Sequence, residues 1–140
     1  MSKPTLVFVC TENSARSLMA EAIARQKYSD RFDVFSVGTA PTAPDVRAIE
    51  ALQQHGFATA QLSSKSFTAL GDTKIDYAII LCNKALQECA QGLPAQHILS
   101  WDFPDPKTSK SSKAFDTTIH ELADRLKMFV LLYDKEARNK

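Results

Sequence analysis

The chain has 140 residues, and 17 lysines and arginines against 16 aspartates and glutamates leave a formal net charge of +1. That balance excludes a strongly basic nucleic-acid binder and a polybasic membrane-surface protein. No apolar run approaches the roughly 18 residues that span a bilayer, and the opening residues do not have the pattern of a secretion signal. We therefore expect a cytoplasmic protein, a single domain over residues 1–140, that contacts neither nucleic acid nor membranes.

Strands and helices alternate along the sequence, with short apolar strands and helices that have one apolar side. Glycine and proline separate many of these segments, as they do at turns and helix ends. In chain order the predicted elements are a strand at Thr5–Cys10, a helix at Ser14–Tyr28, a strand at Phe32–Val37, a helix at Pro44–His55, a short helix at Phe67–Leu70, a strand at Asp76–Cys82, a helix at Lys84–Gln91, a strand at Gln96–Trp101 and a helix from Ala114 to the end.

This alternating order predicts an α/β fold, a single three-layer domain with a four-stranded parallel sheet flanked by helices. The last helix carries apolar residues at steps of four and three. We attribute this stripe to packing on the chain's own sheet rather than to a dimer zipper, and we expect a monomer. The stripe consists of Phe115, Ile119, Leu122, Leu126, Phe129 and Tyr133.

Three features of the sequence converge on one edge of the predicted sheet. Cys10 ends the first strand, Cys82 ends the third, and the proline- and serine-rich loop DFPDPKTSKSSK follows the fourth. Because ligands of parallel sheets bind at the carboxyl ends of the strands, we expect the functional site at this edge.

The segment CTENSAR puts five residues between Cys10 and Arg16 at a strand-to-helix junction. Such a loop can turn its backbone N–H groups inward, and the helix start adds unpaired donors and a positive dipole end. Arg16 adds a planar fork that suits a tetrahedral oxyanion. These positive surroundings predict a Cys10 thiolate with a pKa below that of a free thiol, and hence a nucleophile in an anion site.

An oxyanion that a thiolate attacks must also lose an oxygen, and that oxygen needs a proton. The segment WDFPDP offers Asp105, held between two prolines, as the first candidate acid and Asp102 as its competitor. Aspartate beside proline is also common in turns that carry no chemistry, so spacing alone leaves both interpretations of Asp105 open.

Cys82 and Cys89 lie seven residues apart in CNKALQEC. In a helix their Cα atoms would stand about 10.5 Å apart at about 1.5 Å of rise per residue. A disulfide needs roughly 4.4–6.8 Å, so bridging them requires unwinding a weakly held helix. Two unrelated, half-buried thiols remain the alternative. Three cysteines with no close histidine do not match zinc spacings, and we expect no metal and no cofactor.

Together these segments resemble the thioredoxin-coupled arsenate reductases of the low-molecular-weight protein tyrosine phosphatase superfamily. The resemblance runs along nearly the whole chain and is carried by CTENSARS, MAEA, SVG at residues 36–38, AIEAL at residues 48–52, LCNKALQEC and WDFPDP. The first loop alone is shared with the phosphatases, whereas the second and third cysteines single out the reductases.

The resemblance implies a role for each reactive residue. Cys10 attacks arsenate, and Asp105 protonates the departing oxygen. Cys82 then attacks Cys10, arsenite leaves, and Cys89 attacks Cys82 to give a Cys82–Cys89 disulfide on a looped-out segment that thioredoxin reduces. The implied substrate-binding residues, for arsenate or its analogues phosphate and sulfate, are Thr11, Glu12, Asn13, Ser14, Ala15, Arg16 and Ser17.

Three positions depart from the family pattern. Glu12 stands where glycine is usual, and we predict that its carboxylate points to solvent, because it would otherwise repel an anion. Ala15 stands where many relatives carry a cysteine that the relay does not need. Lys65 stands where potassium-binding relatives have an aspartate, so we expect its ammonium to replace the ion; a solvated surface lysine is the alternative. The remaining residues that match that cation site are Asn13, Glu21 and Ser36.

Two other functions compete with this interpretation. The chemistry of a tyrosine phosphatase needs only Cys10, Arg16 and Asp105. Binding its substrate also needs an aromatic side chain that packs against the phenyl ring, which Trp101 or Phe103 could supply. Phosphatase relatives have two adjacent tyrosines beyond the acid, whereas this chain has PKTSKSSK. A non-catalytic binding module is the second alternative. For a reductase, glutaredoxin with glutathione is the alternative to thioredoxin as electron donor.

Overall fold

A four-stranded parallel sheet forms the centre of the protein in a computed structural model that describes residues 3–89, 93–111 and 113–138, with the backbone alone at 88, 89 and 138. The strand order is β2-β1-β3-β4, and every neighbouring pair is parallel. The predicted sheet is therefore confirmed. Its strands are β1 (Thr5–Cys10), β2 (Asp33–Gly38), β3 (Ile75–Ile80) and β4 (Ala95–Ser100).

Helices follow each strand, as the alternating sequence predicts. The Asp45 side chain caps the second helix by accepting a hydrogen bond from the Arg47 N–H, and Gly56 follows that helix with a φ of 83°. Glycine adopts this left-handed conformation without steric cost. The elements are α1 (Arg16–Tyr28), α2 (Val46–Gln54), α3 (Asn83–Cys89) and α4 (Ala114–Arg138), with short 3₁₀ helices at Phe67–Leu70 and Pro106–Thr108.

Several predicted boundaries shift by one or two residues near the functional edge. The helix α1 begins at Arg16 rather than Ser14, because Asn13 has a φ of 51° and the loop is not helical. The strand β3 ends at Ile80, two residues before Cys82. The helix α3 begins one residue earlier than predicted, and its predicted end at Gln91 lies outside the described residues.

Apolar side chains cover both faces of the sheet. Val7, Val9 and Ala85 belong to the cluster on the α3 face, whereas Phe8 and Leu122 belong to the cluster under the other helices. Each large side chain that is fully buried contributes roughly 1.5–3 kcal/mol to the free energy of unfolding. Four residues of the predicted stripe on α4 are buried and the last two pack against the same core, so the stripe is core, as predicted. They are Phe115, Ile119, Leu122, Leu126, Phe129 and Tyr133.

Strand register brings the functional segments to one edge. Cys10 pairs with Gly38 in β2, and Val9 pairs with Ile80 in β3. The chain leaving β1, the chain leaving β3 and the loop leaving β4 therefore emerge side by side. No described helix has both the length and the apolar character required to cross a membrane.

Candidate active site

The loop of residues 11–15, between β1 and α1, is anchored by its carbonyl oxygens. In a trans peptide the N–H points away from the preceding carbonyl, so carbonyls bonded outward turn the N–H groups of residues 11–15 toward the opposite, concave side. This is the inward orientation that the sequence predicts. The carbonyls of Cys10, Thr11, Glu12, Asn13 and Ser14 accept hydrogen bonds at 2.6–3.2 Å from the N–H groups of Thr39, Ala40 and Thr42, the Ser64 hydroxyl and the Asp45 N–H, respectively.

Gly38 allows this loop to lie directly against β2. A Cβ atom at this position would stand 2.5 Å from the carbonyl oxygen of Thr11 and 2.9 Å from the nitrogen of Asn13. Real Cβ atoms do not approach backbone atoms this closely, so any larger residue would displace the 11–15 loop. The glycine of the SVG segment is thus explained by close packing.

The concave side of the loop encloses a small cavity of about 20 Å³, lined by Cys10, Thr11, Glu12, Ser14, Ala15, Arg16 and Lys107. Asn13 and Ser17, two further residues of the predicted binding set, lie beneath the loop instead. The Asn13 side-chain amide donates to the Ser17 hydroxyl at 2.7 Å and to the Ser36 hydroxyl at 3.0 Å. These two residues therefore support the loop, while Lys107 is a lining residue that the sequence did not indicate.

The two described thiols, Cys10 and Cys82, are buried and hydrogen-bonded to each other. This bond, followed by burial, raises the pKa of Cys10 above its ordinary value, although Arg16 acts in the opposite direction. The expectation of a lowered Cys10 pKa is therefore wrong for the free protein, because sequence spacing gave no sign of the second sulfur. The same bond lowers the pKa of Cys82 to about 5.

Other donors around Cys82 favour its thiolate. Its sulfur lies 3.3 Å from the Thr11 hydroxyl and accepts the Ala85 N–H at 3.4 Å. Arg16 also lowers the pKa of Cys82 through its charge. The pair of thiols thus holds one negative charge at neutral pH, and that charge resides mainly on Cys82.

Arg16 joins the cavity to the loop of residues 102–109. Its guanidinium donates to the Phe103 carbonyl at 2.8 Å and lies 3.7 Å from the Asp105 carboxylate. Both Asp105 and Asp102 border a larger cleft of about 600 Å³ that also reaches Cys82. Asp105 is partly buried beside Arg16, whereas Asp102 is exposed, so Asp105 is the aspartate held next to the Arg16 guanidinium.

The Glu12 carboxylate is about half exposed, at 45%, but it does not point freely into solvent. It accepts a hydrogen bond from the Lys107 ammonium at 2.5 Å, and the same ammonium donates to the Ser14 hydroxyl at 2.9 Å. The prediction that the Glu12 carboxylate points to solvent is thus only partly correct, because the carboxylate is also paired with the Lys107 ammonium at the rim of the cavity.

The four residues predicted to replace a cation site come together behind the loop. The Glu21 side chain is only 1% exposed, and its carboxylate lies 3.5 Å from the Lys65 ammonium and 3.2 Å from Arg25. Ser36 donates to Glu21, and the Lys65 N–H donates to the Asn13 side chain at 2.8 Å. Lys65 therefore belongs to a buried polar cluster and is not a solvated surface lysine.

The two aromatic residues predicted as candidates to pack against a substrate ring differ in position. Trp101 is 5% exposed and packs against Phe129 and Arg125, so the suggestion that it packs against a substrate ring is wrong. Phe103 does border the cleft.

The backbone of Cys89 ends α3, but its side chain lies outside the described residues, and its role stays a prediction.

Comparison with known proteins gives consistent matches along the chain. A family model described as low molecular weight phosphotyrosine protein phosphatase matches residues 5–139. An arsenate reductase of Bacillus cereus (strain Q1) is 31% identical over 128 residues, which are 91% of this chain and 95% of that protein. The crystal structure of a low molecular weight phosphotyrosine phosphatase from Vibrio cholerae O395 aligns with a TM-score of 0.80 at 25% identity, over 95% of this chain and 98% of that one.

A thioredoxin-dependent arsenate reductase from Corynebacterium glutamicum has the same fold. It aligns with a TM-score of 0.75 at 20% identity, over 99% of this chain and 64% of that one.

Replacing Cys82 by serine should lower the pKa of Cys10, because it removes the hydrogen bond that contributes most to raising that pKa. The measurement is thiolate absorbance at 240 nm against pH, in a Cys89→Ser background so that two thiols remain. The background protein should gain one thiolate with a midpoint near pH 5, the value expected for Cys82, and the second only at strongly alkaline pH. An identical Cys10 midpoint with and without Cys82 would contradict the shared-charge interpretation.

Proposed function

Because the chain belongs to the low molecular weight phosphotyrosine protein phosphatase family, we propose that it uses the family's anion site to reduce arsenate to arsenite. Two electrons pass to arsenic as Cys10 and Cys82 form a disulfide, and Cys89 then exchanges into that disulfide. The observation that carries the proposal is the second thiol, Cys82, in hydrogen-bond contact with Cys10 at the anion cavity. Phosphoryl transfer needs only the first thiol, whereas reduction needs a partner sulfur within reach.

In the first step the Cys10 thiol passes its proton to the Cys82 thiolate. The resulting Cys10 thiolate attacks arsenic, and an arsenic–oxygen bond breaks. The inward N–H groups of the 11–15 loop and the Arg16 guanidinium hold the oxyanion. Asp105 donates a proton to the departing oxygen, which leaves as water. The product is a Cys10 thioester of arsenate, with arsenic still in its oxidised state.

In the second step Cys82 releases that proton to solvent, and its thiolate attacks the Cys10 sulfur. A sulfur–sulfur bond forms and the sulfur–arsenic bond breaks, with its electron pair passing to arsenic, which leaves as arsenite. The Thr11 hydroxyl, the Ala85 N–H and the Arg16 charge also lower the pKa of Cys82. They do not depend on a Cys10 thiol and support this role, because the attacking group in thiol–disulfide chemistry is the thiolate.

In the third step Cys89 attacks Cys82, which releases the Cys10 thiolate and leaves a Cys82–Cys89 disulfide. The seven-residue helix α3, which Cys89 ends, must unwind to allow this bond. Thioredoxin, a dithiol reductant, then restores both thiols. We propose it as the donor from the family resemblance, with glutaredoxin and glutathione as the alternative that the test below distinguishes.

Hydrolysis of a phosphate monoester is the second candidate function. Cys10, Arg16 and Asp105 are common to both reactions, and Phe103 borders the cleft where a phenyl ring would lie. The phosphatase relatives favour this alternative. Phosphate ester hydrolysis does not use the contact between Cys82 and Cys10, and we therefore rank it second.

We also propose that activity does not depend on potassium. The buried Glu21 carboxylate is balanced by the Lys65 and Arg25 side chains, so the cluster contains its own cations. A monovalent ion would have to compete with a tethered ammonium for the same carboxylate.

The Cys82→Ser variant separates the two candidate functions. It should abolish multiple-turnover arsenate reduction, because the arsenate thioester of Cys10 then has no sulfur to attack it, and it should spare any p-nitrophenyl phosphate hydrolysis. The assay is arsenate-dependent NADPH consumption with thioredoxin and thioredoxin reductase, run beside glutathione, glutaredoxin and glutathione reductase. Undiminished arsenate turnover by Cys82→Ser would refute the relay, and no turnover by the unaltered protein with either donor system would refute the reductase proposal.

Exchanging sodium for potassium at constant ionic strength should change neither kcat nor Tm of the unaltered protein. The Lys65→Asp variant, which removes the ammonium and adds a carboxylate, should gain a potassium-specific rise in Tm. Lys74→Asp is the matched control, because it makes the same charge change at an exposed lysine nine residues further along the chain. A clear potassium-specific gain in the unaltered protein would rule out replacement of the ion by Lys65.

A further inference from the structure

We propose that Glu12 and Lys107 form a clasp that holds the 102–109 loop against the 11–15 loop and thereby positions Asp105 at the anion cavity. This inference rests on the proposed role of Asp105 as the acid, and it assigns Lys107 and Glu12 as positioning residues. The two residues stand 95 positions apart in the sequence and meet through a hydrogen bond of 2.5 Å.

Lys107 contacts both loops at once. Its ammonium binds the Glu12 carboxylate and the Ser14 hydroxyl, which belong to the 11–15 loop. Its backbone N–H donates to the Asp105 carboxylate at 3.0 Å. The residue that ties the two loops together is therefore also the residue whose backbone fixes the acid.

The 102–109 loop is thus bound on both sides of Asp105. Arg16 binds the carbonyl of Phe103, on the N-terminal side of Asp105, and Lys107 binds the 11–15 loop on the C-terminal side. Without the Lys107 side chain, the C-terminal part of the loop loses its hydrogen bonds to the 11–15 loop and can shift, carrying Asp105 with it. A displacement of about 1 Å in a catalytic group can cost on the order of 100-fold in rate.

The clasp also explains how an acidic residue is tolerated at position 12. The Glu12 carboxylate lines the cavity, where alone it would repel an anionic substrate. The Lys107 ammonium, itself a lining residue, offsets that charge. Removing Glu12 makes the charge near the substrate more positive, whereas removing Lys107 makes it more negative. Either removal should displace Asp105 in the same way.

Steady-state arsenate reduction by Glu12→Gln, Lys107→Gln and the double variant tests this. Each single variant should lower kcat by about tenfold, because proton donation is misplaced. KM for arsenate should fall in Glu12→Gln, because the positive charge of Lys107 is then no longer balanced. KM should rise in Lys107→Gln, because the negative charge of Glu12 is then no longer balanced. The double variant should lose no more kcat than either single variant, since both substitutions break one contact.

Two further variants serve as controls. Lys107→Arg, which keeps the positive charge, should retain kcat within about twofold. Lys110→Gln removes an exposed lysine three residues further along the chain, and its kcat and KM should equal those of the unaltered protein. KM shifts of the same sign in the two single variants, or losses of kcat that multiply in the double variant, would overturn the clasp.

Amide hydrogen exchange of residues 103–111 tests the clasp without any assay of activity. Exchange should accelerate in both single variants and the double variant and stay unchanged in Lys110→Gln. Unchanged exchange in the clasp variants would overturn the inference. If the unaltered protein reduces no arsenate, the proposed function is wrong, and exchange still decides whether the clasp exists.

Discussion

The hydrogen bond between the sulfur atoms of Cys10 and Cys82 decides how charge is distributed at the functional edge of the sheet. It exists because β1 and β3 are adjacent parallel strands, so that the residues leaving them emerge together. It keeps Cys82 charged and Cys10 protonated while the anion cavity is free. Two sulfurs in contact also need little movement to form a bond, whereas a site built for phosphoryl transfer alone needs only one of them.

Around this pair, the fold places a basic side chain beside each of three carboxylates. The outward anchoring of the carbonyls of residues 10–14 turns five successive N–H groups toward the concave side of the loop. Glu12 is paired with Lys107, Asp105 with Arg16, and the buried Glu21 with two basic residues. An incoming oxyanion therefore meets the loop dipoles and the Arg16 guanidinium. The basic partners weaken the repulsion that the carboxylates would otherwise exert on it.

Much of this arrangement was predictable from sequence because it depends on local pattern. Apolar periodicity located the strands and the buried stripe of α4, and the five-residue spacing between Cys10 and Arg16 indicated the anion loop. Contacts between residues far apart in sequence were not predictable. The sign of the Cys10 pKa shift depends on a sulfur from another strand, and Lys107 looks like an ordinary loop lysine until folding brings it to Glu12. The two-residue delay of α1 has a similar origin, since the loop gives up helical geometry to bond with residues 39–45 and 64.

The most direct test of electron transfer through the two contacting sulfurs is a single-turnover trap. The Cys89→Ser variant, reduced and freed of thiol reagents, is mixed with arsenate, quenched with acid and analysed by peptide mass spectrometry, with arsenite measured in parallel. We predict a disulfide between Cys10 and Cys82 together with one equivalent of arsenite per protein. Formation of arsenite with both thiols still free, or a disulfide that forms equally without arsenate, would contradict transfer of the electron pair between these sulfurs.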